Sequence, residues 1–203
     1  MRKYFNFKLL ILLIFFSNCY NIFSEKIPTI NSPDINNSDK ILYFAYGSNM
    51  LLNRLKKRVP SAVPLGTALL EHYTLSCSKL SKDGSTKLSV KKGTEQDEVY
   101  GVLYEINANE KKSLDKAEGL KRGYEEMNIN VLFKGKNVKA MTYYGTIENR
   151  NILPYKWYKA FVLAGARFHK FPSRYIKMIL HSLAKNDLNS VRNKFNQDIL
   201  HKN

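Results

Sequence analysis

The chain has 203 residues, 44% hydrophobic and 12% aromatic, which excludes a disordered or fibrous class and suits one globular domain with a sizeable core. Its formal net charge is +16, but the lysines are scattered among many Asn and Ile, gather into no arm and accompany no zinc-finger or aromatic RNA-binding motif, so no nucleic-acid partner is expected. His72, His169, His181 and His201 have no ligand spacing to one another or to a cysteine, so no metal is expected.

At the start of the chain, Arg2, Lys3 and Lys8 precede the apolar run Leu9 to Phe16, which is followed by Ser17, Asn18, Cys19 and Ser24. A charged start, a short apolar run and small residues after it make residues 1–24 a signal peptide. The run is too short to cross a bilayer, which takes about 20 residues. The expectation is an exported protein, periplasmic, secreted or lipid-anchored; a core helix in a cytoplasmic protein is the alternative. Cys19 has the position of a lipoprotein acylation site, and the chain meets a membrane only if Cys19 is acylated. With Cys19 removed or acylated, Cys77 has no disulfide partner and reads as a small, partly buried apolar group. Residues 25–40, with Pro28, Pro33, Asn36, Asn37 and Ser38, read as a polar linker. The domain is residues 41–203.

Ile41 to Tyr46 reads as a strand, and Ser48 or Asn49 as the cap of a helix through Arg58 with Leu51 and Leu55 on one face. Thr67 to Ser78 and Lys87 to Lys91 read as strands separated by the turn Lys82-Asp83-Gly84-Ser85. Val99 to Ile106 is apolar on both faces apart from Glu105, as expected of a covered strand. Asn109 to Glu118 reads as a short helix with Leu114 and Ala117 inward, ended by Gly119 in a left-handed conformation. Asn128 to Phe133 and Asn137 to Thr146 form a hairpin across Lys134-Gly135-Lys136. From Pro154 the period becomes helical: Trp157, Phe161, Ala164 and Phe168, then Tyr175, Ile179 and Leu183, then Val191, Phe195 and Ile199. Strands first and helices last give an α+β fold.

Two places carry chemistry. The stretch Tyr43-Phe44-Ala45-Tyr46-Gly47-Ser48-Asn49-Met50 runs from strand through a bend into a helix, which turns backbone N–H groups and the positive helix end outward and suits a carboxylate or a developing oxyanion; an ordinary N-cap is the other reading. Ser48 lacks the Gly-x-Ser-x-Gly flanks of a hydrolase nucleophile and reads as a donor or cap. Glu118 ends a short helix, where the dipole disfavours a negative charge and apolar neighbours desolvate it; both effects favour a proton-shuttling carboxyl, and an exposed helix-end glutamate is the alternative.

Taken together, that stretch, Pro60-Ser61-Ala62, Glu98 to Ile106, Leu114-Asp115-Lys116-Ala117-Glu118-Gly119, Tyr158, Gly165-Ala166, and Phe171-Pro172 with Tyr175 resemble the γ-glutamylcyclotransferase family, in the family's order across about residues 41–180. The resemblance implies a small mixed β-barrel with helices packed around it, and an enzyme releasing 5-oxoproline from a small γ-glutamyl substrate without a cofactor. It also implies that Glu118 is catalytic, that Tyr43, Phe44, Ala45, Tyr46, Gly47 and Ser48 hold the substrate, and that Tyr158 lines the pocket. Where the family often has a glycine and one or two tyrosines, this chain has Gly123-Tyr124-Glu125-Glu126, and the added negative charge would bear on substrate choice. A γ-glutamylamine cyclotransferase and a non-catalytic γ-glutamyl-binding module are the competing readings.

Overall fold

The structure, a computed structural model, describes residues 39–201. The signal-peptide reading of residues 1–24, with Cys19, and nearly all of the linker lie outside these residues. Seven strands and five α-helices are described: β1 Lys40–Ala45, α1 Leu52–Lys56, β2 Val63–Glu71, β3 Tyr73–Leu80, β4 Thr86–Lys92, β5 Glu98–Asn107, α2 Lys111–Glu118, β6 Tyr124–Phe133, β7 Lys136–Gly145, α3 Lys156–Phe168, α4 Ser173–His181 and α5 Ser190–His201.

Five strands close into a barrel in the order β1-β5-β2-β6-β7. Its neighbours are antiparallel except for the seam, where Tyr43 of β1 pairs in parallel with Met141 of β7. Closure leaves no open sheet edge in the barrel. The remaining strands, β3 and β4, form a separate two-stranded antiparallel sheet. This is the mixed barrel with a helical C-terminal part that the family resemblance implies.

Alternation along the strands divides the apolar residues between two cores. Phe44, Leu70, Val99, Leu103 and Val131 pack in one cluster. Their neighbours Tyr43, Val102, Tyr104 and Met141 join Leu55, Leu114, Phe161 and Val162 in the second, between barrel and helices. The two-residue period of β1 therefore turns Tyr43 toward the helices and Phe44 away from them.

Several elements differ from their sequence reading for local reasons. The strand expected over Thr67 to Ser78 is two strands, because His72 takes a left-handed φ of 63°. Hydrogen bonds from His72 N to Asp97 O and from Gly93 N to His72 O hold that bend. The helix expected through Arg58 starts as a single 3-10 turn over Ser48–Met50, and α1 spans only Leu52–Lys56. Ser48 caps neither, since no side-chain cap bond forms. Ala117 is exposed rather than inward. Leu183 lies beyond the end of α4, and Phe168, Val191 and Phe195 are exposed. In α5 it is the edge carrying Asn196 and Ile199 that is buried, drawn in by polar contacts of Arg192 with Asp187 and of Asn196 with Arg54.

Two devices fix what surrounds the first strand's exit. Helix α3 lies directly on the 3-10 turn at Gly165, where an added Cβ would sit 2.6 Å from Met50 Cβ and 3.1 Å from its carbonyl carbon. Helix α2 is pinned at its start: Glu110 accepts from Ser61 N at 3.0 Å and from Ser61 Oγ at 2.6 Å, while Ser61 Oγ accepts from Asn107 N at 2.9 Å. The Pro60-Ser61-Ala62 motif thus joins the segment after α1 to the start of α2.

Candidate active site

Where β1 leaves the barrel, a cavity of about 240 Å³ opens between the barrel's helix-facing side, the β3–β4 sheet and helices α1 to α3. Glu118 lines it from the last position of α2, which Gly119 ends in the expected left-handed conformation, φ 75°. The carboxylate is held by two donors on Oε1: Asn49 Nδ2 at 2.8 Å and Arg58 Nη1 at 2.8 Å. Oε2 has no protein partner among the described residues. Arg58 Nη1 also donates to Asn49 Oδ1 at 2.7 Å, and Asn49 Nδ2 to the Tyr43 hydroxyl at 3.0 Å. The Glu118 side chain is 16% exposed, so it is screened from bulk water yet open to the cavity.

A second network braces α2 from behind. The Tyr143 hydroxyl donates to Asp115 Oδ1 at 2.5 Å, and Lys111 bridges Asp115 at 2.9 Å and Glu126 at 2.5 Å. The negative charge that the sequence carries at Glu126 is therefore spent on Lys111, away from the cavity lining. Tyr124, by contrast, lines the cavity, and its hydroxyl donates to Leu88 O at 2.8 Å.

Of the residues singled out in the sequence, Tyr43, Tyr46, Gly47, Ser48, Glu118 and Tyr158 come together around the cavity. Phe44 and Ala45 do not line it. Phe44 belongs to the other core and Ala45 packs in the helix-facing core. The Tyr46 hydroxyl donates to Tyr143 O at 2.6 Å. Ser48 Oγ accepts from Arg54 Nε at 3.1 Å. Gly47 leaves room beside the Tyr158 hydroxyl: a Cβ there would lie 3.2 Å from it, tighter than an ordinary contact, and would press on it. That hydroxyl accepts from Leu88 N at 2.9 Å, which leaves its proton free to be given to a ligand. Burial, followed by nearby negative groups, pushes the Tyr158 and Tyr43 phenols above their ordinary range, so both remain protonated donors at neutral pH.

The sequence reading missed the cations. Arg54, Arg58, Lys79 and Lys87 all line the cavity, against the two carboxylates Asp83 and Glu118. Burial, then the like charge of Arg58, pushes Arg54 down to about 10; it stays charged, stacked 4.4 Å from the centre of the Phe161 ring. Lys87 is paired with Asp83 at 2.7 Å. A signal for the two arginines did exist. It was slight: they stand four residues apart on the helix expected through Arg58, where like charges repel unless something compensates them, although in the structure Arg54 lies on α1 and Arg58 in the turn after it.

Residues 98–179 match the AIG2-like family. The chain is 32% identical to the gamma-glutamylcyclotransferase of Bos taurus over 170 residues, which cover 81% of this chain and 89% of that protein. It is 30% identical to the gamma-glutamylcyclotransferase of Homo sapiens over 179 residues, covering 85% and 93%. Among solved structures, one of a gamma-glutamyl cyclotransferase superposes with a TM-score of 0.74 at 28% identity, covering 81% of this chain and 100% of that one.

Proposed function

The chain belongs to the γ-glutamylcyclotransferase family, and on that premise we propose that it releases 5-oxoproline from γ-glutamyl amino acids or peptides, with Glu118 as the acid–base. The observation that carries the reading is the Glu118 carboxylate at the end of α2, which lines the cavity and is fixed on one oxygen by Asn49 and Arg58 with the other oxygen unpartnered among the described residues, whereas the second lining carboxylate, Asp83, is paired with Lys87.

In the reaction the neutral α-amine attacks its own γ-carbonyl carbon, closing a five-membered ring. The amine nitrogen gives one proton to Glu118 and keeps one as the lactam N–H. Glu118 then returns the proton to the departing nitrogen as the carbon–nitrogen bond breaks, so the leaving group departs as a neutral amine and the carboxylate is regenerated. One carboxylate serves both transfers because the two nitrogens flank the same carbon.

The tetrahedral intermediate carries an oxyanion that needs fixed donors. The N–H groups of Ser48 and Asn49 open the 3-10 turn and find no backbone acceptor among the described residues, as the first N–H groups of any helical turn do. With the Tyr158 hydroxyl across from Gly47, they form the cradle. Since the attack is intramolecular, holding the glutamyl chain folded is itself a large part of catalysis.

The test is incubation of the purified domain with γ-glutamyl amino acids, glutathione and γ-glutamyl-ε-lysine, reading 5-oxoproline. Product from at least one member is expected; binding without product from any of them would leave a γ-glutamyl-binding module instead. Export belongs to the proposal too, supported by the sequence of residues 1–24 alone.

A further inference from the structure

Lys79 is an anomaly in the cavity wall. It is 6% exposed, yet among the described residues its ammonium meets no carboxylate, carbonyl or hydroxyl at hydrogen-bonding distance. Its one recorded polar contact is with the face of the Tyr124 ring, 4.4 Å from Nζ to the centroid. The stem is locked by close packing: a Cβ on Gly145 would fall 2.5 Å from Lys79 Cγ, and one on Gly123 3.1 Å from its Cε. Burying an unpaired ammonium is costly, so a lysine held this rigidly without a counter-ion calls for one from outside the chain. Burial pushes the Lys79 ammonium down while the charges of Glu118 and Asp83 pull it back up, which puts it within electrostatic reach of the acid–base.

The charges of the lining point to that counter-ion. Arg58 is paired with Glu118 and Lys87 with Asp83, which leaves Arg54 and Lys79 as the lining cations without a carboxylate among the described residues. They stand on different walls. Arg54 comes from α1 and bonds Ser48 in the turn that cradles the glutamyl half. Lys79 comes from β3, with Ser81 and Asp83 of the β3–β4 connection beside it in the lining. A γ-glutamyl amino acid carries two carboxylates on opposite sides of the reacting carbon, one on the glutamyl α-carbon and one on the departing amino acid. A γ-glutamyl amine has only the first.

We infer that Lys79 binds the carboxylate of the leaving amino acid and thereby selects γ-glutamyl amino acids over γ-glutamyl amines. This rests on the cyclotransferase reading above. The cavity volume agrees with it: about 240 Å³ lies below the range of roughly 300 Å³ and upward typical of pockets for drug-sized ligands, as suits a substrate of dipeptide size.

The experiment compares γ-glutamyl-alanine with γ-glutamyl-ethylamide, its counterpart without the second carboxylate, for wild type, Lys79→Met and Lys79→Arg, with circular dichroism to confirm folding. Methionine keeps the packed stem and removes the charge. Lys79→Met is expected to lower kcat/KM for γ-glutamyl-alanine about tenfold to a hundredfold, the usual worth of a hydrogen bond to a charged group, and far less for the ethylamide; Lys79→Arg should restore most of the preference. Equal losses on both substrates, or no loss on either, would overturn the inference while leaving the cyclotransferase reading intact. Absence of 5-oxoproline from both substrates with the wild type would instead overturn that reading and this one with it.

Discussion

Asn49 does more at the site than its position after a bend suggests, because its amide touches Tyr43, Arg58 and Glu118 at once. Removing it in Asn49→Ala leaves a half-buried arginine and a carboxylate each short of one partner, a loss of about 1–3 kcal/mol per group. A fall of tenfold to a hundredfold in kcat/KM is expected, and steady-state kinetics would read it. In the same loop, Gly47→Val should cost more than Ser48→Ala. The valine presses on the Tyr158 hydroxyl that a Cβ would approach at 3.2 Å, whereas the Ser48 hydroxyl bonds only Arg54 among the described residues; a disturbed oxyanion cradle costs about 10²–10³ in rate. Normal turnover by folded Gly47→Val protein would remove the cradle from the account. Glu118, Gly47 and Ser48, which line the cavity, stood out in the sequence at a helix end and a strand–bend–helix junction, each with a plain structural alternative that local sequence left open, and Tyr158 was reached only through the family resemblance. Arg58, Arg54 and Lys79 did not stand out, since a lysine or arginine on a short element looks the same in sequence whether it faces solvent or a cavity. Only the packing of β3 and α1 against the barrel decides that.

Among the elements, α3 does the most to position the loop. Gly165→Ala would gain about 1 kcal/mol of helix propensity, but its methyl would press on Met50 at 2.6 Å, and overpacking of that kind costs about 1–3 kcal/mol. The clash prevails, because the base of Met50 cannot yield without moving the 3-10 turn. Lowered stability together with lowered turnover is expected, checked by denaturant melts alongside kinetics. The C-terminal helices hang on Asp187, which accepts from Trp157 Nε1 at 2.8 Å and from Arg192 at 2.6 Å. Hydrogen bonds from Arg192 hold its carboxyl down at about 2, although burial opposes them. Because the folded value lies below the ordinary one, this stabilisation is present above about pH 4 and is lost as pH falls toward 2, an amount of about 2 kcal/mol. Asp187→Asn should therefore be less stable than wild type at pH 7, with the gap closing in acid melts. The order of strands and helices was readable from periodicity, which turns and burial alternation impose directly. The division of β2 from β3 at His72 was not, because nothing in Glu71-His72-Tyr73 marks a turn, and the bend is made by a contact with the distant Gly93–Asp97 segment. Nor was the rotation of α5, where a polar edge carrying Arg192 and Asn196 wins the buried side over Val191 and Phe195.

At the scale of the molecule, a closed barrel supplies a rigid wall, and the helices and the β3–β4 sheet complete a cavity that the barrel alone does not enclose. Export is expected for the whole chain: the mature protein should begin at Cys19 or after Ser24, read by mass spectrometry, and an intact Met1 to Ser24 in the cytosol would contradict it. The central claim is that one carboxylate carries the proton from the attacking to the departing nitrogen. Glu118→Gln keeps the size and the hydrogen bond acceptor for Asn49 and Arg58 while removing the ability to take the proton. The decisive measurement is 5-oxoproline formation by Glu118→Gln on γ-glutamyl-alanine, beside wild type and the control Glu125→Gln, with substrate binding followed by calorimetry. A fall of at least 10²–10⁴, with folding and binding nearly unchanged and Glu125→Gln active, is the predicted result. Retention of more than about a tenth of wild-type turnover, set against that expected loss, or inactivity of Glu125→Gln in its stead, would contradict it.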